Sequence, residues 1–543
     1  MPATHEVMNQ PPPLTGYDVA DDAAMLDALR REGAGWAEPA VRELGALAGS
    51  ALWQEHGRLA NENPPRLRTH DRFGNRVDEV EFHPSWHELM TVAVRHGLHA
   101  APWRSDRPGA HVARAAGFYV WSSAEAGHGC PISMTYAIVP ALRHAPDLAA
   151  RYEPLLSAAE YDFGLRPPLT KRGLLAGMSM TEKQGGSDVR ANTTVAVPAG
   201  DGSYRLTGHK WFTSAPMCDV FLVLAQTPGQ GLSCFLLPRV LPGFSHNGMR
   251  FQRLKDKLGN RSNASAEVEY EDAVAWLVGE EGRGVRTIID MVNMTRLDCV
   301  LGAATGMRAG VTAAAHHAAH RSAFGRTLAE QPAMAGVLAD LAVESEAATV
   351  AAFRLAGATD RAARGDQAEV TFRRLALAAT KYWVCKRGPV HAAEALECLG
   401  GNGYVEESGM PRLYREAPLA SIWEGSGNVA ALDALRALTR QPETAEALFA
   451  ELDLAAGADR RLDQAIARLR KELSDPAQAR ARVLAERIAL TLQGALLVRH
   501  GHPAVADAFV ASRLDGDWGI AFGTLPGGLD LGAITGRVTP KIA

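Results

Sequence analysis

The sequence predicts an α+β protein, mainly α, in which one small β-domain interrupts helical segments. Three observations predict it. Ala, Leu, Arg and Glu recur at helical spacing before residue 172 and after residue 286. β-branched and alternating runs are confined to 173–285. Strands and helices do not alternate, so the βαβ order of a dinucleotide fold is excluded. With 543 residues, two to four domains are expected.

The expected domains are helical over 1–172, β over 173–285, a helical bundle over 286–440 and an extra helical domain over 441–543. Met25-Leu26-Asp27-Ala28-Leu29-Arg30 and Trp86-His87-Glu88-Leu89-Met90 carry the first. Pro64-Pro65 and Pro167-Pro168 punctuate it. In the second, Thr193 to Val197 and Tyr204 to Phe212 flank the turn Ala199-Gly200-Asp201-Gly202 and read as a hairpin. Val220 to Ala225, Leu232 to Leu237 and Glu267 to Tyr270 read as further strands. Thr305 to Ala319 and Ala333 to Ala356 are Ala-rich and read as long packed helices. In the last, Leu462, Ile466 and Leu469 share a face, with Arg461 and Arg468 on another. After Gly516 the Gly-rich tail reads as loop.

A net charge of −4 gives no global sign of nucleic-acid binding. The six cysteines contain no C-x-x-C pair, which argues against a zinc site and a disulfide framework and fits a reducing cytoplasm. No metal is expected. The start, Met1 to Glu6, lacks a basic and apolar leader. No uncharged apolar run reaches membrane-spanning length, so no membrane partner is expected.

Two distant stretches carry the chemistry. In Met180-Thr181-Glu182-Lys183-Gln184-Gly185-Gly186-Ser187-Asp188-Val189, glycines admit close approach of a ligand to the backbone, and Thr181 and Ser187 add hydroxyls. Taken alone, this is also a plain surface loop. In Ile422-Trp423-Glu424-Gly425-Ser426-Gly427-Asn428, one carboxylate precedes a glycine that permits a sharp turn. Lys210-Trp211-Phe212-Thr213-Ser214 sets an indole beside hydroxyls, as a ring site or as core. In His320-Arg321-Ser322-Ala323-Phe324-Gly325, Arg321 suits a pyrophosphate and Phe324 an adenine, or the segment is a helix stop. Leu399-Gly400-Gly401-Asn402-Gly403-Tyr404 is a third glycine cluster. No one of these decides; their joint order does.

In that order the chain resembles the acyl-CoA dehydrogenase family, which carries M-T-E-P-x-x-G-S-D, W-I-T, R-x-x-F-G, G-G-x-G-Y and Y-E-G-T. Lys255 to Ser262 matches the family's K-x-G-x-R-x-S. The resemblance covers roughly residues 85 to 440. It implies a helical N-domain, a central β-barrel domain and a C-terminal helical bundle, with FAD at a subunit interface of a homotetramer. By position, Met180, Thr181, Ser187, Trp211, Thr213, Ser214, Ser426 and Asn428 would contact FAD. Arg321, Phe324, Gln331, Gly400 and Gly401 would meet the cofactor of a neighbouring subunit.

Glu424 matches the family's catalytic glutamate. Abstracting an α-proton from a thioester needs a carboxylate in a dry site, where its pKa rises. Some members carry the base just before a helix arginine; that arginine corresponds to Arg296, and Thr295 precedes it. Glu424 is therefore the candidate.

Several positions depart from the family. Lys183 replaces proline, Trp423 replaces tyrosine, Asn293 stands where many members place an aspartate that helps hold CoA, and Asn428-Val429-Ala430 follows the base. With Asn61-Glu62-Asn63-Pro64-Pro65, Arg31 to Trp36 and the C-terminal extension, they resemble the AidB-like subfamily. That resemblance implies a cytoplasmic flavoprotein of the bacterial response to DNA alkylation, with weak activity toward isovaleryl-CoA. It also implies sequence-independent binding of double-stranded DNA by basic residues near the C-terminus. Residues 441–543 hold 12 Lys/Arg against 13 Asp/Glu, so composition alone shows no DNA affinity. Arg436, Arg440, Arg468, Arg470, Arg480 and Arg482 form the candidate phosphate-neutralising stripe; a solvated helix face is the other reading. The alternatives to this DNA-associated flavoprotein are a metabolic short- or branched-chain acyl-CoA dehydrogenase feeding an electron-transfer flavoprotein, and a flavin-stabilised scaffold.

Overall fold

A computed structural model describes residues 7–542; the leader-free start expected over Met1 to Glu6 lies outside the described residues. The chain opens with α1 (Ala23–Arg31), α2 (Glu38–Ala48) and α3 (Ala51–Glu62), then the hairpin β1 (Arg66–His70) and β2 (Arg76–Glu81). Helices α4 (Pro84–Arg95), α5 (Ala110–Trp121), α6 (Gly129–Leu142) and α7 (Pro146–Leu156) follow. The β-region runs β3 (Ala176–Thr181), β4 (Val195–Pro198), β5 (Tyr204–Ser214), β6 (Val220–Thr227), β7 (Gly231–Pro238), β8 (Met249–Leu254) and β9 (Ser265–Val278). Then come α8 (Gly284–His320), the small hairpin β10 (Ser322–Ala323) and β11 (Arg326–Thr327), α9 (Pro332–Ala363), α10 (Gln367–Glu397), α11 (Gly401–Tyr404), α12 (Met410–Ala420) and α13 (Gly427–Arg440). The chain ends with α14 (Glu443–Asp453), α15 (Arg460–Leu473), α16 (Ala481–His500), α17 (Pro503–Phe509) and α18 (Leu531–Thr535).

These elements form two compact units. One holds Met1–Gln54, Pro108–Ser123 and Cys299–Ala543; the other holds Glu55–Arg107 and Ala124–Asp298. The four consecutive blocks expected from the sequence are thus shared between two bodies, because the N-terminal block contributes to both.

In the second unit the sheet closes on itself. β3 pairs with β5 and β6, β6 with β7, β7 with β9, and β9 with β5. β4 lies between β5 and β6, and β8 adds to the outer side of β9. This is the barrel-like β-domain expected over 173–285. α6, apolar almost all round, packs on β3. The Thr135 hydroxyl accepts the Ala176 N–H at 2.9 Å and ties the two together. The β1–β2 hairpin lies inside the block read as helical. Its charged alternation in Arg66-Leu67-Arg68-Thr69-His70 leaves it half exposed, so it lacks an apolar stripe to betray it.

In the first unit α9 and α10 are the axis. Asp366 caps α10 by accepting the Ala368 and Glu369 N–H groups at 3.0 and 3.2 Å. Pro332, which lacks the N–H that a helix start leaves unpaired, opens α9. The segment expected as a separate domain over 441–543 is part of this unit. Leu484, Ile488, Leu492 and Leu496 recur every four residues on α16 and are buried as it packs on α9, α10 and α13. Among the described residues no helix is long and apolar enough to cross a membrane, and all six cysteines are buried and outside any disulfide.

Candidate active site

In the second unit, the glycine-rich segment leaves β3 at Thr181, which lies opposite Phe212 of β5. Glu182 turns inward and is fully buried. Its carboxylate accepts from Lys210 Nζ at 2.8 Å, the Thr193 N–H at 2.6 Å and the Thr194 N–H at 3.1 Å. Burial alone would raise this carboxyl, but the Lys210 ammonium and the N–H donors outweigh it and hold it at about 2. Lys210 also donates to the Leu224 carbonyl at 2.7 Å, and burial lowers its ammonium to about 8.

Anchored in this way, Lys183 to Arg190 arches into solvent with Ser187 exposed. Gly185 has φ 129°, open to glycine at no steric cost. At Gly186 a Cβ would stand 2.5 Å from the Thr181 hydroxyl, so the loop folds onto Thr181 only because that atom is missing. The Met180 carbonyl accepts from Asn192 Nδ2 at 2.9 Å.

Along β5, Trp211 and Ser214 are half-buried. Thr213 is fully buried, its hydroxyl 2.5 Å from that of Ser179. The Trp211 ring carries Lys255 Nζ 3.4 Å from its centroid, and Lys183 Nζ lies 5.8 Å away. An exposed glycine arch beside an indole, with lysine ammoniums close by, offers N–H donors and positive charge to the phosphates of a nucleotide such as a flavin nucleotide. Met180, Thr181, Trp211 and Ser214 are brought together here; Ser187 lies further out on the arch.

In the first unit, Glu424 sits in the turn between α12 and α13. It adopts φ 55°, the left-handed region that a side chain rarely takes, and Gly425 follows at φ 101°. Lys381 of α10 donates to the Trp423 carbonyl at 2.8 Å and also to the Gly425 carbonyl. The Trp423 indole N–H is buried with no hydrogen-bond partner among the described residues. Ser426 N-caps α13 through its backbone, and its hydroxyl makes no capping bond.

Arg321, Phe324 and Gln331 gather at the β10–β11 hairpin. Arg321 Nη1 donates to the Asn9 carbonyl at 2.6 Å, and Gln331 Nε2 to the Ala323 carbonyl at 3.0 Å. Phe324, at φ 52°, is 98% exposed. Gly400 and Gly401 face open space, and the adjacent Asn402 bonds Gln10 at 3.0 Å. The segment at residues 9–10 thus touches both places.

The arginine stripe is more engaged than its spacing implied. Arg436 pairs with Asp433 at 3.2 Å, Arg470 with Asp453 at 2.9 Å and Arg480 with Glu472 at 3.6 Å. Arg468 donates to the Leu514 carbonyl at 2.8 Å. Arg482 turns to the site instead: Nε donates to the Tyr382 hydroxyl at 3.1 Å and Nη1 to Asn428 Oδ1 at 3.3 Å. Arg440 is exposed and has no ion-pair partner among the described residues.

Sequence reasoning missed Lys210, which anchors the glycine-rich segment, and Lys381, which holds the Glu424 turn. The one available signal was a charged residue in an otherwise apolar setting: Lys210 at an inward position of an alternating strand, and Lys381 inside Ala378-Ala379-Thr380-Lys381-Tyr382-Trp383.

Comparison with known proteins fits this geometry. The model described as adaptive response protein AidB N-terminal domain matches residues 9–163. The acyl-CoA dehydrogenase middle domain matches 177–273 and the C-terminal domain 282–439. AidB of Escherichia coli (strain K12) is 48% identical over 523 residues, covering 95% of this chain and 96% of that protein. Acyl-CoA dehydrogenase family member 11 of Caenorhabditis elegans is 31% identical over 498 residues, covering 85% and 79%. The crystal structure of Caenorhabditis elegans ACDH-11 in complex with C11-CoA superposes with a TM-score of 0.86 at 28% identity, covering 95% of this chain and 93% of that one. A Bacillus anthracis acyl-CoA dehydrogenase complexed with FAD shares the fold, with a TM-score of 0.63 at 20% identity over 84% of this chain and 79% of that one. FAD is the cofactor and the activity is that of an acyl-CoA dehydrogenase-type oxidoreductase, because the chain belongs to the acyl-CoA dehydrogenase family, in its AidB-like branch.

Proposed function

We propose that Glu424 is the base of a weak acyl-CoA dehydrogenase whose substrates are short and branched, of the isovaleryl-CoA type. FAD, when bound, supplies the acceptor for the β-hydride. Glu424 removes the α-proton of the thioester, and Trp423 narrows the space beside the carboxylate. Met180, Thr181, Ser187, Trp211, Thr213, Ser214, Ser426 and Asn428 hold the cofactor. The observation that carries this reading is the left-handed turn at Glu424, fixed from both sides by Lys381. Holding a non-glycine residue there costs on the order of 1–3 kcal/mol, and such strain gathers at functional positions. The Caenorhabditis elegans relative's complex with C11-CoA supports an acyl-CoA as ligand. The test is anaerobic bleaching of the flavin by isovaleryl-CoA. Wild type bleaches; Glu424→Gln retains FAD and bleaches at least ~10²-fold more slowly, in the range of positioned acid–base groups. Bleaching by Glu424→Gln at the wild-type rate removes the assignment.

A second reading belongs to the AidB-like branch: a cytoplasmic homotetramer of the DNA alkylation response that binds duplex DNA without sequence preference. Arg440, exposed and outside any ion pair among the described residues, favours it. The Arg470 pair is at the surface, where it is worth about 0–1 kcal/mol and is readily exchanged for a phosphate, and the guanidiniums of Arg436 and Arg480 stay exposed in their pairs. Fully exposed Phe324, with Arg321, Gln331, Gly400 and Gly401, would meet the cofactor of a neighbouring subunit. A random duplex is expected to shift at low salt with affinity falling steeply as salt rises. No shift at low salt removes this reading.

A further inference from the structure

The turn that carries Glu424 does not hold itself. Its two left-handed residues lie between the peptide plane entering Glu424 and the one leaving Gly425. The carbonyls of those two planes, on Trp423 and Gly425, both accept from one ammonium, Lys381 Nζ. Lys381 is 1% exposed, and no carboxylate among the described residues pairs with it. A buried ammonium is costly unless its protons find strong acceptors. Here those acceptors are main-chain carbonyls on either side of the reacting residue. The rest of the α10 face seats the same turn. At Gly427 a Cβ would stand 3.1 Å from Lys386 Cε and 3.7 Å from Tyr382 Cε2.

We infer that Lys381 is a positioning residue for Glu424: its ammonium pins the carbonyls before and after the carboxylate-bearing residue and so fixes the direction in which that carboxylate points. This rests on the reading of Glu424 as the base. A left-handed glutamate released from its clamps relaxes toward the φ values that side chains ordinarily adopt. That relaxation swings the side chain. Displacement of a reacting group by about 1 Å is enough to cost ~10²-fold in rate. Binding of the acyl-CoA would be little affected, because Lys381 is buried beneath the turn.

The test is single-turnover flavin reduction by isovaleryl-CoA in the FAD-loaded protein, for wild type, Lys381→Met, Glu424→Gln and the double variant. Lys381→Met is expected to retain FAD, to keep its KM within about threefold and to lose ~10- to 10²-fold in the reduction rate. In the Glu424→Gln background it is expected to change nothing more, since a clamp acts only through the residue it aims. Wild-type reduction by Lys381→Met, a loss that appears only in KM, or losses that multiply in the double variant each overturn the inference. If Lys381→Met does not retain FAD, the same measurement is made on Lys381→Arg, which keeps N–H donors for both carbonyls; it is expected to hold FAD and reduce it faster than Glu424→Gln. Failure of both to hold FAD assigns Lys381 to folding alone and overturns the inference. Should Glu424→Gln itself reduce at the wild-type rate, the reading of Glu424 fails. If Glu424→Gln is slow and Lys381→Met is not, only the clamp fails.

Discussion

Glu182 and Lys210 meet at 2.8 Å with neither side chain exposed. They sit on the two strands that lead to the candidate flavin segments, Glu182 just past the end of β3 at Thr181 and Lys210 within β5, just before Trp211. The ion pair survives burial because its remaining valences are met by Thr193, Thr194 and the Leu224 carbonyl. Glu182→Gln leaves the lysine charge buried and is expected to cost ~3–5 kcal/mol, read as a fall in unfolding midpoint and in FAD retention. Glu182→Gln with Lys210→Met is expected to be less damaging than the sum of the two. Additive losses in the double variant would show that the pair is not a unit.

Acid stability follows from three buried carboxyls. Glu125, Glu182 and Glu344 are all held at about 2 against the raising effect of burial: by His128 and backbone N–H groups, by Lys210, and by Arg387 and Arg513. In the unfolded chain such groups titrate near 4.3. Their contribution is therefore complete above the unfolded value and is lost as pH falls through the folded one. Each accounts for up to about 1.4 kcal/mol per pH unit in that window. Denaturant midpoints are expected to fall steeply between pH 4.5 and 2, and Glu125→Gln to flatten the slope. An unchanged slope in that variant removes Glu125 from the set.

The chemistry-bearing segments were legible because they are local. A glycine pair, an alternating strand and a Glu-Gly step are written in adjacent residues, and so are the β-domain and the long α8 and α9. What was not legible is tertiary. Spacing put Arg482 in the DNA stripe, but the fold of α16 onto α10 delivers it to Tyr382 and Asn428. The apolar period of α15 shows a buried face but not its partners, so 441–543 reads as a separate domain. Nothing in the residues beside Lys381 marks what it holds; only the return of the chain 42 residues later gives it Trp423 to hold.

The position of Arg482 separates the proposed cofactor contacts from the proposed DNA-binding stripe. Asn428 is proposed to hold the cofactor, and Arg482 fixes its amide while stacking near Tyr382. Arg482→Ala is expected to weaken FAD retention several-fold and to change duplex affinity less than Arg440→Glu does. Arg440→Glu should also flatten the dependence of duplex binding on salt. Equal effects of both on DNA, with FAD unaffected, would return Arg482 to the stripe.

Asp340 gathers the start and middle of the Gly-rich tail onto α9. Its carboxylate accepts from Arg513, from Trp518 Nε1 at 3.3 Å and from the Gly523 N–H at 2.9 Å, while the Arg513 guanidinium lies 4.0 Å from the Trp518 ring. Arg513 also reaches Glu344 at 3.1 Å, and all three charged side chains are buried. Three donors therefore depend on one residue, and the tail is fixed despite its loop-forming composition. Asp340→Ala strands a guanidinium, an indole N–H and a backbone N–H together. Partial replacement by Glu344 limits the loss to the arginine, so the expected cost is ~3 kcal/mol or more, at the lower end for broken buried pairs. The loss should be local as well as global, because Trp518 Nε1 and the Gly523 N–H lose the carboxylate that accepts from them. Limited proteolysis is expected to cut Asp340→Ala between residues 515 and 525 well before the wild type, with Trp518 emission shifted to the red. Identical cleavage patterns would mean that the tail is held by its apolar contacts and not by Asp340.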